Sequence, residues 1–307
     1  MNKTDFYCKY ISPKTLKYIF GFDEGETKGK VEGNRCLRIS SPENFNDPFD
    51  CSVPKIRNKI DFIKDFSTAV AKKMDVGKKE VSNYFKMQNV NKEFNEVLES
   101  ALNDIRVRWD DYAKDYRVLC LTKKTDNILM WSHYADSHKG AVLVFDFSDD
   151  IKFQSINKVG YNSLHSDIIS SIVEKAIKNI ISYLLNYEGG MDAAFKKGDE
   201  LLENKKFNEI LLQFVLRNLS PFFFEKRDVW AYEEEYRMVS SADEYPDELI
   251  EFNIGSLREV IFGVKASDET INNVIHGLKQ FGFNGYVYKA EKIHGELITK
   301  SRQINYN

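Results

Sequence analysis

Residues 229–239, VWAYEEEYRMV, set three adjacent carboxylates, Glu233, Glu234 and Glu235, between Tyr232 and Tyr236 at the head of a segment that reads as a strand. Taken as extended over 232–239, its side chains alternate. Glu233, Glu235, Arg237 and Val239 then share one face, and Tyr232, Glu234, Tyr236 and Met238 share the other. Two carboxylates on one face repel, and a guanidinium beside them can hold them charged. A fixed carboxylate is also what stabilises positive charge developing on a sugar carbon. The plainer reading is a surface strand whose i, i+2 Glu–Arg pair contributes about 0 to 1 kcal/mol.

Working outward, further strand-like segments lie on both sides of this one. FYCKYIS (6–12) and RCLRIS (35–40) read as extended, RVLCLT (117–122) as a buried strand, and AVLVFDF (141–147) as a near-continuous apolar run suited to the centre of a sheet. After 229–239 come LIEFNI (249–254), REVIFGV (258–264), YVYKAEKI (286–293) and ELITKS (296–301). Helices are expected at PKTLKYIF (13–20), at TDNILMWSHYA (125–135) with Thr125 or Asp126 as N-cap, and at ETINNVIHGLKQFG (269–282). Two blocks, about 55–113 and 165–220, are charged and amphipathic; Ile60, Phe62, Ile63, Phe66 and Val70 line one helix face in the first. Strands at the beginning, middle and end with long helices between them predict an α+β fold, a single domain over 1–307 carrying two helical insertions.

With 307 residues and 42% apolar content, the chain can bury a large core. Lys and Arg number 44 against 47 Asp and Glu, so the net charge of −3 gives no overall attraction to nucleic acid or an anionic membrane. The start, MNKTDFYCKYIS, has no apolar signal core, and no segment approaches the roughly 18 uninterrupted apolar residues of a membrane span. The expectation is a cytoplasmic protein with no membrane partner. Cys8, Cys36, Cys51 and Cys120 stand singly, without C-x-x-C or histidines at ligand spacing, and read as reduced core residues with no metal site. Signatures of P-loop, Rossmann, nucleophile-elbow and zincin chemistry are absent from the sequence.

Three further clusters carry candidates. In NILMWSHYADSHKG (127–140), Trp131, His133, Tyr134 and His138 form a polar-aromatic set that can stack a planar ring, against a reading as core aromatics with a histidine bonded to a backbone carbonyl. In SPENFNDPFDC (41–51), Asn46 and Asp47 are ligand candidates, against a reading as turn chemistry anchored by Phe45 and Phe49. Lys9 and Tyr10 form an ammonium–aromatic pair on the first strand, against a reading of Lys9 as a snorkelling surface residue.

In order, FYCKYIS, SPENFNDPFDC, LCLTKKTDNILMWSHYADSHKGAVLVFDF, VGY, EKRDVWAYEEEYRMV and LREVIFGV resemble the bacterial domain-of-unknown-function family 2971. The order of these pieces is also similar to the ADP-ribosyltransferase superfamily: a polar residue on a first strand, an aromatic segment, and a Glu-x-Glu at a later strand. That resemblance implies a central, mostly antiparallel split sheet and NAD or a related nucleotide as substrate. By position it implies Glu235 as catalytic glutamate with Glu233 assisting, Lys9 at the ribose, and Tyr134 or Trp131 beside the nicotinamide; Tyr10, His133, Arg237, Asn46 and Asp47 are the further substrate-binding candidates. Lys9 departs from the His or Arg of those enzymes. The partner implied is a nucleotide, with a protein or nucleic-acid acceptor left open and a role as toxin or phage-defence effector. Two alternatives stand beside it: a non-catalytic nucleotide- or nucleic-acid-binding module, and a protein-interaction component working through the helical blocks.

Overall fold

A computed structural model describes residues 6–21, 33–52, 111–161 and 220–306 continuously, with scattered positions between 53 and 110 and between 162 and 219. The chain divides into two compact units. One comprises Met1–Asn46, Lys114–Tyr161 and Asp228–Asn307; the other comprises Asp47–Ala113 and Asn162–Arg227. The apolar face read at Ile60, Phe62, Ile63, Phe66 and Val70 lies outside the described residues, as does most of the block 165–220. Described positions within the blocks, such as Thr68, Glu96 and Lys178, are helical.

The first unit is built on one eight-stranded sheet. Its strands are β1 (Phe6–Ile11), β3 (Tyr116–Thr122), β4 (Ala141–Asp146), β5 (Asn157–Lys158), β6 (Glu235–Ser241), β8 (Leu257–Phe262), β9 (Tyr286–Ile293) and β10 (Glu296–Gln303), in the order β10-β9-β8-β4-β1-β3-β6-β5. A separate ribbon pairs β2 (Cys36–Arg38) with β7 (Leu249–Glu251). Within the large sheet every pairing is antiparallel except β8 with β9, whose connection is a helix, as a parallel pair requires. The fold class is therefore α+β on a mostly antiparallel sheet, as the segment order leads one to expect.

Side-chain alternation gives the sheet two packed faces. Ile11, Leu119, Leu121, Leu143, Phe145, Met238 and Val260 belong to one core, under helices α1 (Pro13–Phe20) and α3 (Asp268–Gln280). Cys8, Tyr10, Val142, Val144 and Ile261 belong to the other, under α2 (Ile128–Tyr134), which contributes Met130 and Trp131. β4 is buried along its whole length because it lies between both cores, which explains its uninterrupted apolar sequence. Ser12 caps α1 by accepting from the Thr15 amide, with Pro13 at the first helical position, and Ser267 caps α3 by accepting from the Thr270 amide. The two helices pack so closely that a Cβ on Gly277 would fall 2.1 Å from the Phe20 carbonyl oxygen.

The sheet is loosely joined at one place. Six residues of β1 have registered partners on β4, and seven of β3 have partners on β6, but β1 and β3 share a single registered pair, Cys8 with Thr122. Lys9 lies beside this parting.

Two expectations are corrected. The extended reading of 232–239 fails for its first part: Asp228–Glu233 is a 3-10 turn, Glu234 has a left-handed backbone (φ 44°), and the strand begins at Glu235. The N-cap of α2 is Asn127, and not Thr125 or Asp126, because the Asn127 carboxamide oxygen accepts from the Leu129 and Met130 amides.

Candidate functional site

The three glutamates have three different fates, set by the left-handed residue between them. A non-glycine residue in this conformation costs about 1 kcal/mol or more, and it interrupts the alternation a strand would impose. Glu234 points outward to an exposed ion pair with Lys124 at 3.5 Å. Glu233 and Glu235 are both buried.

Glu235 is held from its own strand. Arg237 Nε donates to Glu235 Oε1 at 2.8 Å and Nη2 donates to Oε2 at 2.9 Å, a two-bond fork that fixes the carboxylate plane. The guanidinium lies under the Phe45 ring, 5.5 Å from its centre, and is fully buried. The backbone is secured as well: the Glu235 amide donates to the Tyr161 hydroxyl oxygen at 2.7 Å, and its carbonyl accepts from the Val159 amide at 2.9 Å.

Glu233 is held by the helix. Tyr134, the last residue of α2, donates its hydroxyl to Glu233 Oε1 at 2.7 Å, and Asn46 Nδ2 donates to the Tyr134 hydroxyl oxygen at 3.2 Å. Two other bonds set the register. Asn127 Nδ2 donates to the Tyr232 carbonyl at 2.6 Å, tying the start of α2 to the 3-10 turn. Thr122, registered opposite Glu235, donates its hydroxyl to the Glu233 carbonyl at 2.7 Å. Adjacent residues Phe45 and Asn46 thus reach, through Arg237 and Tyr134, to carboxylates two residues apart.

Other candidates are placed differently. Alternation puts Lys9 with Tyr7 and Ile11, on the face away from Cys8 and Tyr10. Its ammonium donates to the Cys120 carbonyl at 2.7 Å, across the parting between β1 and β3. Burial lowers the Lys9 pKa, and the Glu235 carboxylate works against this. Tyr10 is a core residue whose hydroxyl donates to the Lys124 carbonyl at 3.0 Å. Trp131 is fully buried, donates Nε1 to the Thr125 carbonyl at 2.8 Å and stacks on His138, so its ring is a core ring here and not a platform for a ligand. His133 is exposed beside the Tyr134 ring. Asp47 belongs to the second unit and closes its own turn by accepting from the Phe49 amide at 2.9 Å. Among the described residues no group of three or more His, Cys, Asp or Glu side chains is arranged to hold a metal ion, and no helix is long and apolar enough to cross a membrane.

Thr122, Asn127 and Tyr161 are the positioning residues that sequence reasoning did not single out. Thr122 and Asn127 sit inside quoted motifs but carry no chemical signature of their own, and Tyr161 belongs to the short piece VGY, whose only signal was its place in the motif order.

Residues 130–238 match the family described as Protein of unknown function (DUF2971). No curated protein and no solved structure matches the chain. The matched residues include Tyr134, Tyr161, Glu233, Glu235 and Arg237, whereas Phe45 and Asn46 lie outside the match.

Proposed function

We propose that the protein binds NAD or a related nucleotide and breaks or transfers at the bond between base and ribose, in the manner of an ADP-ribosyltransferase. The observation that carries this reading is the pair of buried carboxylates, Glu233 and Glu235, each oriented by its own donor and both reached from Phe45 and Asn46. Cleavage of that bond develops positive charge on the ribose carbon as the base leaves with the bonding electrons, and an immobile carboxylate lowers the barrier by facing that charge. In this assignment Glu235 faces the ribose and accepts from its 2′-hydroxyl. Glu233, with its partner Tyr134, takes the proton of the attacking group. Asn46 and His133 lie toward the exposed end of the same chain of contacts, where a base would sit. Arg237 keeps Glu235 from turning.

A non-catalytic nucleotide- or nucleic-acid-binding module is the competing reading. The two-bond grip of Arg237 on Glu235 favours it, because such a carboxylate can serve as a counter-ion alone. Incubation with NAD separates the two. The catalytic reading expects free nicotinamide or ADP-ribose on a target protein; the binding reading expects a raised unfolding temperature and no product. Neither product nor stabilisation with NAD or related nucleotides would end both.

A further inference from the structure

We propose that residues 41–46 form a strap that closes the Glu233–Glu235 site and must lift before a ligand can reach it. The strap itself rests on geometry; what it excludes rests on the functional reading above.

One end of the strap is fastened. Glu248 Oε1 accepts from the Ser41 amide at 3.2 Å and from Asn44 Nδ2 at 3.1 Å, while Arg38 holds Glu248 Oε2 at 2.9 Å. Between these points Pro42–Asn44 is a 3-10 turn, closed by the Asn44 amide on the Ser41 carbonyl at 3.0 Å. The other end lies on the site through the Phe45 ring over Arg237 and the Asn46 carboxamide on the Tyr134 hydroxyl. Beneath it Arg237, Glu235 and Glu233 are 0%, 4% and 2% exposed, yet Phe45 is only half-buried and Asn46 is exposed. Phe45 and Asn46 thus touch Arg237 and Tyr134 from the side that meets solvent.

Its two contacts are of a kind that a ligand can replace. Phe45 offers a planar ring to a guanidinium and Asn46 offers a polar donor to a phenol, and a nucleoside presents a planar base and sugar hydroxyls. A ligand that supplies both contacts shifts the strap toward its open position by the free energy of those contacts.

The test is the reactivity of Arg237 toward an arginine-selective dicarbonyl reagent, mapped by mass spectrometry, in the wild-type chain and in Phe45→Ala/Asn46→Ala. Arg258, whose side chain is 44% exposed, is the internal control. Arg237 should react on the order of tenfold faster in the variant, the effect of losing one ring–guanidinium contact and one hydrogen bond, with Arg258 unchanged. Equal Arg237 labelling overturns the strap. Asn46→Ala alone, at an exposed position, and Glu248→Gln, at the fastened end, should shift the rate in the same direction and keep the test open if the double variant misfolds. Nicotinamide release on the same samples separates the two claims. Faster release with faster labelling supports both; faster labelling with no release from either protein keeps the strap and overturns the NAD reading.

Discussion

Arg237 and Glu235 stand two residues apart on one strand and meet through two parallel hydrogen bonds, inside a region from which both are almost wholly withdrawn from water. Two charges so placed lose their hydration, and each helps to compensate the other. Removing either alone leaves the partner's charge buried. Glu235→Gln or Arg237→Met should each lower stability by about 3 to 5 kcal/mol. The double variant should be at least about 1 kcal/mol more stable than the sum of the single losses predicts. Chemical denaturation of the four proteins measures this coupling, and strictly additive losses would remove the pair from its structural role. Activity comparisons that use Glu235→Gln must therefore be made per folded molecule.

Asp146, at the end of β4, carries a pH signature. Burial works to raise its pKa, but bonds from the Ser148 hydroxyl and amide, with Arg258 nearby, more than offset this and leave the carboxyl below its ordinary value. A depressed folded-state pKa stabilises the fold fully above the unfolded value, near 3.8, and the contribution disappears as pH falls through the folded value. Unfolding free energies of wild type and Asp146→Asn should therefore differ most above about pH 5 and converge toward pH 2. A gap that stays constant through acid would exclude this linkage.

Gly140 ends the segment HKG where the chain enters β4. A Cβ there would lie 1.9 Å from the Ile11 carbonyl oxygen, so β1 and β4 could not keep their register. Gly140→Ala should cost about 3 kcal/mol or more, well beyond the few tenths typical of a surface change. A denaturation midpoint close to wild type would show that β1 can retreat.

Much of the fold was legible because its signals are periodic. The apolar run of β4, the extended reading of β1, the buried-strand reading of β3 and the helical readings of α1 and α3 each state a local physical preference that the tertiary structure keeps. What periodicity could not reveal was the break at Glu234. A left-handed glutamate has no sequence mark, so 232–234 read as part of the strand when Asp228–Glu233 is a 3-10 turn held by Asn127 and Thr122 from other elements. Trp131 was ambiguous for a related reason. An aromatic on a short helix can face a core or a cleft, and only the packing of Tyr10 and His138 around it decides. Lys9 stands on the face opposite its neighbours in sequence, and its bond to Cys120 depends on the parting of two strands that the sequence does not mark.

The central claim, that two oriented carboxylates act on the bond between base and ribose, is tested most directly by Glu233→Gln. This change keeps an acceptor oxygen for the Tyr134 hydroxyl and leaves the Arg237–Glu235 pair intact. The measurement is nicotinamide released from NAD per folded molecule. The account predicts turnover by the wild-type chain and a fall on the order of 10² to 10⁴ in the variant, the range lost with a positioned proton acceptor. Turnover in the variant equal to wild type would contradict it.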